Sequence, residues 1–575
     1  MDLVPLPDSN PSQTSPESTG SSDVFHYSKL KVRQGLVKYI ACAELPLSFA
    51  DNVKFEKFIQ NYIQPGYVRV PKHIIKSDCI RVFDEMKKNL ISELSNFHGT
   101  ISFACDLWTS CTAVDYIRVT AYFIDLDWMM QKRILAFRLL EYSLNLVQIF
   151  QLVMEILKEF RIVDKFFSIT FDDHAANDNV INMFNNYLQP SHGNQFFHIN
   201  CVCDTINLIV HDGLKMIKNH IEKIREAMLY IYSSSTRQKE VFDLCGSYGL
   251  EGRNFKPDFE TSWNSTYRML QSCSNYNLVI TDFYNRVQND SVLCEVDWEI
   301  SFGFMEFLEV FYNATMVFSG VYSPTSCAVL CELCDISYVF NKYKDHLRFI
   351  DICKMMAEKL RKYLESMPPI LYLAAIMDPR IKLEGLELLL NEISQNLSLP
   401  SLTNMNGIKN VLDSSFNAYK SKFASTTKVS VSTSSTSRKN GIWSRLAKVH
   451  EQRLAKVHEQ IYGIRSELEK YLAIDFTFSL TLEDLEQFNV LAWWKMHEKG
   501  FPVLSILARD LLTLPMSTLV SESVFKTGNH RLLNMERSIL PVEIVESLLC
   551  IKDWEDADTR DQSWTDDIMD YFANS

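Results

Sequence analysis

The sequence predicts an α/β fold in which a short set of strands feeds a much larger helical body. Three observations carry this. Between residues 98 and 140 the chain turns β-branched and aromatic, in runs parted by polar breaks ("GTISFACDLWTS", then "YIRVTAYFIDLDWMMQKRILAFRLLE"), the texture of two or three adjacent strands. An amphipathic stretch, "NLVQIFQLVMEILKEF", and a further strand, "KFFSITFDD", follow, so helix and strand alternate. From about 205 to 423 the apolar period is helical almost throughout, as in "IKNHIEKIREAMLYIYSSS" and "FIDICKMMAEKLRKYLESM".

The remaining segments take their places around these. Residues 1–25 are rich in Ser, Pro and Thr and hold no Lys or Arg, which predicts a disordered tail and no cleavable signal peptide. Residues 26–97 form a helical region, where Val82, Phe83, Met86, Leu90, Ile91 and Leu94 keep a near-helical period. The strand-rich part spans 98–204 and the helical body 205–475. Inside the latter, 424–440 is Ser/Thr-rich without large core residues and reads as a flexible loop. Directly after it "RLAKVHEQ" stands twice in tandem, at 445–452 and 453–460. An eight-residue step rotates the apolar face by roughly 80° per copy, which suits a solvent-facing insertion and not a coiled coil. Residues 476–560 are the most regular. Leu504, Leu507, Ala508, Leu511 and Leu512 form a helical stripe ended by Pro515, and a last helix opens at Pro541. Residues 561–575 form a second tail.

Composition bounds the chemistry. With 575 residues, 47% of them hydrophobic and 22% charged, the chain has the balance of a packed globular protein of several domain-sized units. Its apolar runs stop short of the roughly 20 residues a membrane span needs, so the chain is expected inside the cell, with no membrane partner. A net charge of -13 excludes a generally basic coat, so any DNA contact must use local patches such as "RVPKHIIK", "KKN" at 87–89 and the repeat. The 14 Cys are scattered, as free thiols in a reducing compartment are. Cys327, Cys331 and Cys334 share a helix face, but no second ligand pair stands at zinc spacing, so core packing is the expectation. No phosphate-binding loop, dinucleotide fingerprint or nucleophile elbow is present, and no small-molecule substrate is indicated.

One stretch, "SITFDDHAAND", runs an apolar strand straight into Asp172 and Asp173. A strand-end Asp is ordinarily a turn or helix cap, and the segment alone does not decide between cap and metal ligand. Together with "DLWTS" (106–110), "INLIVHDGLK" (206–215), "SWNSTYRML" (262–270), "MDPRIKL" (377–383) and "VLAWWKMHEKGFPVLSILARDLLTLPMSTLVSESVFKTG" (490–528), it resembles the plant hAT superfamily of transposases, of the RICESLEEPER and DAYSLEEPER type. Six motifs in order, across about 28–556, make the resemblance specific.

The resemblance implies an RNase H-like mixed sheet interrupted by a large all-helical insertion, ending in a helical C-terminal dimerisation segment that carries the last RNase H-like helix. It also implies that Asp106, Asp172 and Glu522 are the three acids of a DDE-type site. Such acids hold two divalent cations, Mg2+ or Mn2+, about 4 Å apart on the attacking and leaving oxygens of a phosphodiester. By the same resemblance Trp263 stacks on a displaced base, which would be worth about 1–3 kcal/mol. Taken from residues alone, Trp263 reads as core. Dimerisation would use Leu504, Leu507, Leu511 and Leu512 with Ile544, Val545, Leu548 and Leu549, side chains that could equally pack inside one chain.

Departures from the family pattern weaken cleavage. Asp204 replaces a His after Cys201, Ser262 replaces an Arg before the Trp, and Asp173 replaces an Asn beside the second acid. The first 75 residues hold only Cys42, His26 and His73, too few ligands for the family's BED zinc finger. The expectation is therefore a nuclear, transposase-derived DNA-binding homodimer with little or no cleavage. The alternatives are an active Mg2+-dependent transposase or a protein-interaction scaffold with no DNA role.

Overall fold

The computed structural model describes residues 27–109, 114–140, 146–172, 178–188, 197–258, 263–286, 292–320, 322–399, 404–423, 466–474, 481–518 and 540–559. The expected tails, the 424–440 loop, the tandem repeat, Asp173, Ser262 and Glu522 lie outside them. The strands are β1 (Ile101–Thr109), β2 (Asp115–Ile124), β3 (Met130–Leu140), β4 (Phe166–Phe171) and β5 (Phe197–Asn200). Their order in one sheet is β3-β2-β1-β4-β5. β1 pairs antiparallel with β2, and β2 with β3, while β1–β4 and β4–β5 are parallel. This is the RNase H-like mixed sheet. β5, four residues long, was not visible in the sequence pattern.

Both faces of the sheet are covered, but by different chemistry. Ile101, Phe103 and Cys105 of β1 alternate with Ser102, Ala104 and Asp106, and period-two alternation sends the two sets to opposite faces. The first set joins Ile117, Val119, Ala121, Ile169 and Phe171 in an apolar core with helices Lys29–Cys42, Lys72–Asn96 and Leu146–Glu159. The second set shares its face with buried Thr120, Ser168 and Thr170. That face turns toward the helical body, whose core is continuous with Ala104, Tyr122, Trp128, Phe167 and Ile199.

The helical body begins at Val202–Met216, directly after β5, and its centre is helix Pro369–Ile376, all but its first residue buried. The "MDPRIKL" motif builds a clasp next to it. Fully buried Asp378 takes the Arg380 guanidinium at 2.6 Å, and Arg380 reaches across to the Leu485 carbonyl at 2.7 Å.

Helix Val542–Thr559 returns to the sheet and closes its open edge. β3 is an edge strand, so its outward N–H groups lack a ladder partner. Asp553 accepts from Ile134 N–H at 2.6 Å, Glu546 accepts from Phe137 N–H at 3.3 Å, and Trp554 Nε1 donates to the Ile134 carbonyl at 2.9 Å. These contacts sit where the β2–β3 register slips by one residue, between Val119–Ala136 and Thr120–Ile134. Side chains of one helix thus replace the missing strand.

Candidate active site

Parallel pairing places the two described acids side by side. β1 and β4 run in register as Ser102 with Ser168, Ala104 with Thr170 and Cys105 with Phe171. Asp106 and Asp172 are the next residues along, at one rim of the sheet and on the face turned toward the helical body. They are 6% and 8% exposed. β4 ends at Phe171, and the N–H of Leu107 donates instead to Oδ2 of Asp172 at 3.0 Å. Asp172 thereby caps the end of the ladder.

Asp106 is committed to a different partner. Its Cα pairs with that of Arg118 on β2, and directly opposed residues of an antiparallel pair project from one face with Cβ atoms about 5 Å apart. The Arg118 Nη2 donates to Oδ2 at 2.8 Å and to Oδ1 at 3.2 Å, and Nε donates to Oδ1 at 3.2 Å. The guanidinium therefore engages both carboxylate oxygens, and Arg118 is only 2% exposed. On the same face stands Tyr122, whose phenol is held above its usual range by burial, with Arg118 acting in the opposite direction.

The segment 515–518 is anchored beside this rim. Pro515 accepts from Thr170 Oγ1 at 2.6 Å. Thr518 N–H donates to Cys201 Sγ at 3.4 Å, and Cys201 N–H donates to the Phe171 carbonyl at 2.9 Å. Thr518 precedes Glu522 by four residues.

Oxygen donors at adjacent strand ends are of the kind Mg2+ or Mn2+ takes. The charges around them are not. A dication roughly 4 Å from the Arg118 guanidinium meets about 8 kcal/mol of opposing Coulomb energy at an effective dielectric near 20, which offsets the attraction of one carboxylate at that distance, and both Asp106 oxygens are already engaged. As placed, the described residues do not fit a divalent ion. Among them no group of three or more His, Cys, Asp or Glu is arranged to hold a metal. Arg118 was the residue that sequence reasoning passed over. Its signal was a lone Arg inside the apolar run "DYIRVTAYFI", since a buried charge has to be paired.

The other predicted residues are placed as follows. Trp263 is 2% exposed at the start of helix Trp263–Cys273, and its Nε1 donates to Oδ1 of Asn207 at 2.6 Å. Leu504, Leu507, Leu511 and Leu512 are buried in the core of the helical body. Ile544 and Leu548 face the apolar side of the sheet, and Val545 and Leu549 pack on the stacked Tyr116–Phe137 pair. All eight side chains are thus buried within one chain. Cys327 and Cys334 are buried, with burial pushing the first thiol well above its usual range and the second up to about 12; Cys331 is partly buried, its thiol pushed up to about 11. Of the basic patches, Lys87 is bonded to Glu159 at 2.5 Å and Arg69 pairs with Asp51 at 3.3 Å.

Comparison with known proteins finds relatives of this chain. Residues 467–555 match the hAT family C-terminal dimerisation region, and 328–419 match the hAT-like transposase, RNase-H fold. The chain carries hAT transposase-family domains. Residues 104–195 match the ZBED1 RNase-like domain and 199–301 the ZBED1 RNase-like helical domain. The five strands fall at 101–200, whereas the described residues of 328–419 form helices only. A putative AC transposase of Zea mays is 26% identical over 545 residues, covering 92% of this chain and 66% of the maize protein. Zinc finger BED domain-containing proteins RICESLEEPER 2 of Oryza sativa subsp. japonica and DAYSLEEPER of Arabidopsis thaliana are each 25% identical, over 90% and 93% of this chain and 73% and 75% of their own lengths. The chain spans about two thirds to three quarters of these relatives. No described helix is long and apolar enough to cross a membrane.

Proposed function

We propose that this chain is a degenerate or domesticated hAT transposase-like protein that works in the nucleus, binds DNA and homodimerises through its C-terminal region without efficient cleavage. The observation that carries the reading is the buried Arg118–Asp106 pair, 2.8 Å at its shortest, at the position of the first acid of an RNase H-like sheet. The hAT dimerisation region at 467–555 supports self-association. Because the eight predicted stripe residues are buried in the chain's own core, the homodimer uses other surfaces of that region. DNA binding is read as a phosphate contact by local basic patches, and its test is filter binding of a duplex across salt concentrations. Log affinity falls linearly with log salt if phosphates are contacted. No salt-dependent retention at low ionic strength would leave the scaffold reading.

A second reading has one observation in its favour, the juxtaposition of Asp106 and Asp172 at one rim. It is a DDE-type enzyme with Mg2+ or Mn2+ on Asp106, Asp172 and Glu522, and it requires Arg118 to leave Asp106. Metal-dependent nicking of a terminal repeat by the purified chain, lost in Asp172→Ala, would establish it.

A further inference from the structure

We propose that Arg118 is the resident cation of the acid site, neutralising Asp106 and engaging both its oxygens, so that the site takes no divalent metal. The inference deepens the non-cleaving reading above and rests on it for the identity of the site.

The argument is one of register, geometry and charge. Register comes first: Arg118 is the cross-strand partner of Asp106, so the backbone itself delivers the guanidinium to the carboxylate. The planar fork then meets both oxygens, the bidentate arrangement for which Arg and carboxylate are matched. Arg118 is 2% exposed, so its charge faces protein groups and not bulk water. A guanidinium has only donors and no acceptor, so it matches a carboxylate and repels a metal cation. Asp172, the neighbouring acid, has one oxygen on the Leu107 N–H. A rim that sets two carboxylates together in a low-dielectric face carries a positive charge on β2, the neighbour of β1 on the side away from β4.

The test is Mn2+ titration of the full chain, with free Mn2+ read by its electron paramagnetic resonance signal. Wild type and Asp106→Asn are expected to bind Mn2+ alike. Arg118→Ser, and Arg118→Met as the volume-conserving second variant, are expected to gain one site with an apparent affinity about tenfold or more above background, since the opposing charge is gone. Adding Asp106→Asn to either variant removes the gain, and Arg118→Lys, which keeps a cation, never shows it. Saturable Mn2+ binding by wild type that Asp106→Asn abolishes overturns the inference, whatever the variants do. So does a folded Arg118→Ser or Arg118→Met that binds no more Mn2+ than wild type. Filter retention of DNA by the same preparations reports on the DNA-binding reading separately, so the two can fail independently.

Discussion

Replacing Asp553 by Ala removes two buried contacts at once. Its carboxylate pairs with Lys132 at 2.8 Å, the side chains being 3% and 9% exposed, and also accepts the edge N–H of Ile134 at 2.6 Å. Breaking a buried ion pair by deleting one partner costs about 3–5 kcal/mol, and stranding a buried N–H about 1–3 kcal/mol. Both losses fall on one side chain and overlap, so about 4 kcal/mol is expected for docking of the last helix on β3. This corresponds to roughly a thousandfold faster amide exchange wherever opening of that docking exposes the backbone. Hydrogen exchange followed by mass spectrometry on peptides spanning 130–140 and 542–559 reads it directly. Asp553→Asn keeps an acceptor for Ile134 and loses less, and Lys132→Met combined with Asp553→Asn recovers most of the loss because no charge is then buried without its counterion. Exchange in Asp553→Ala within about tenfold of wild type would refute the claim that these bonds hold the edge closed.

Three further outcomes are expected. Burial raises the Asp510 carboxyl to about 6, with a 2.6 Å hydrogen bond from Tyr419 acting against it. Its unfolded value lies near 3.8, so the native state binds the extra proton between these values. This group's contribution to stability therefore rises as pH falls from about 6 toward 4 and is lost above 6, where the buried charge costs on the order of 3 kcal/mol. Asp510→Asn should be the more stable protein at neutral pH in urea denaturation, with the advantage vanishing near pH 4; an advantage independent of pH would contradict this. Asp297 stands at the third position of helix Glu295–Phe318 and completes a capping box by accepting the N–H of the N-cap residue Cys294 at 3.0 Å. Burial opposes its ionisation, but bonds from Cys294, His220 and Lys223 outweigh that and hold the carboxyl at about 2. Asp297→Ala should cost at least the ~1–2 kcal/mol of a lost cap, measured by urea unfolding at neutral pH. Leu507→Glu places a charge in a core site that is 2% exposed and should give unfolded or aggregated material in light scattering, where a contact used only between subunits would give a folded monomer.

Much of the sheet could be read from residues. β1 to β4 announce themselves through β-branched and aromatic runs, whereas Phe197–Asn200 is too short to show a period and is defined only by pairing with β4. The long helix at Lys72–Asn96 was legible in its second half, because its first turns, "KHIIKS", mix charge with few apolar positions. The acids were found by resemblance, and their neighbour was not. Periodicity marks Arg118 as an irregularity in β2, but only the register across the sheet shows that it faces Asp106. The Leu504–Leu512 stripe illustrates a different limit. A pattern of apolar residues says that a face is covered, and the covering surface, helices Pro369–Ile376 and Met405–Phe423, lies about a hundred residues earlier in the chain.

The side chains that close the β3 edge are separated from it by 409 to 421 residues. At synthesis rates of roughly 5–20 residues per second, the ribosome takes about 20–80 s to deliver them after β3 has emerged. For that interval a nascent chain would carry an open strand edge beside a half-built apolar layer, a template for pairing with other chains. Production of this protein should therefore depend on chaperone supply more than its finished stability suggests, and truncation between residues 201 and 545 should yield insoluble chains even though all five strands are present.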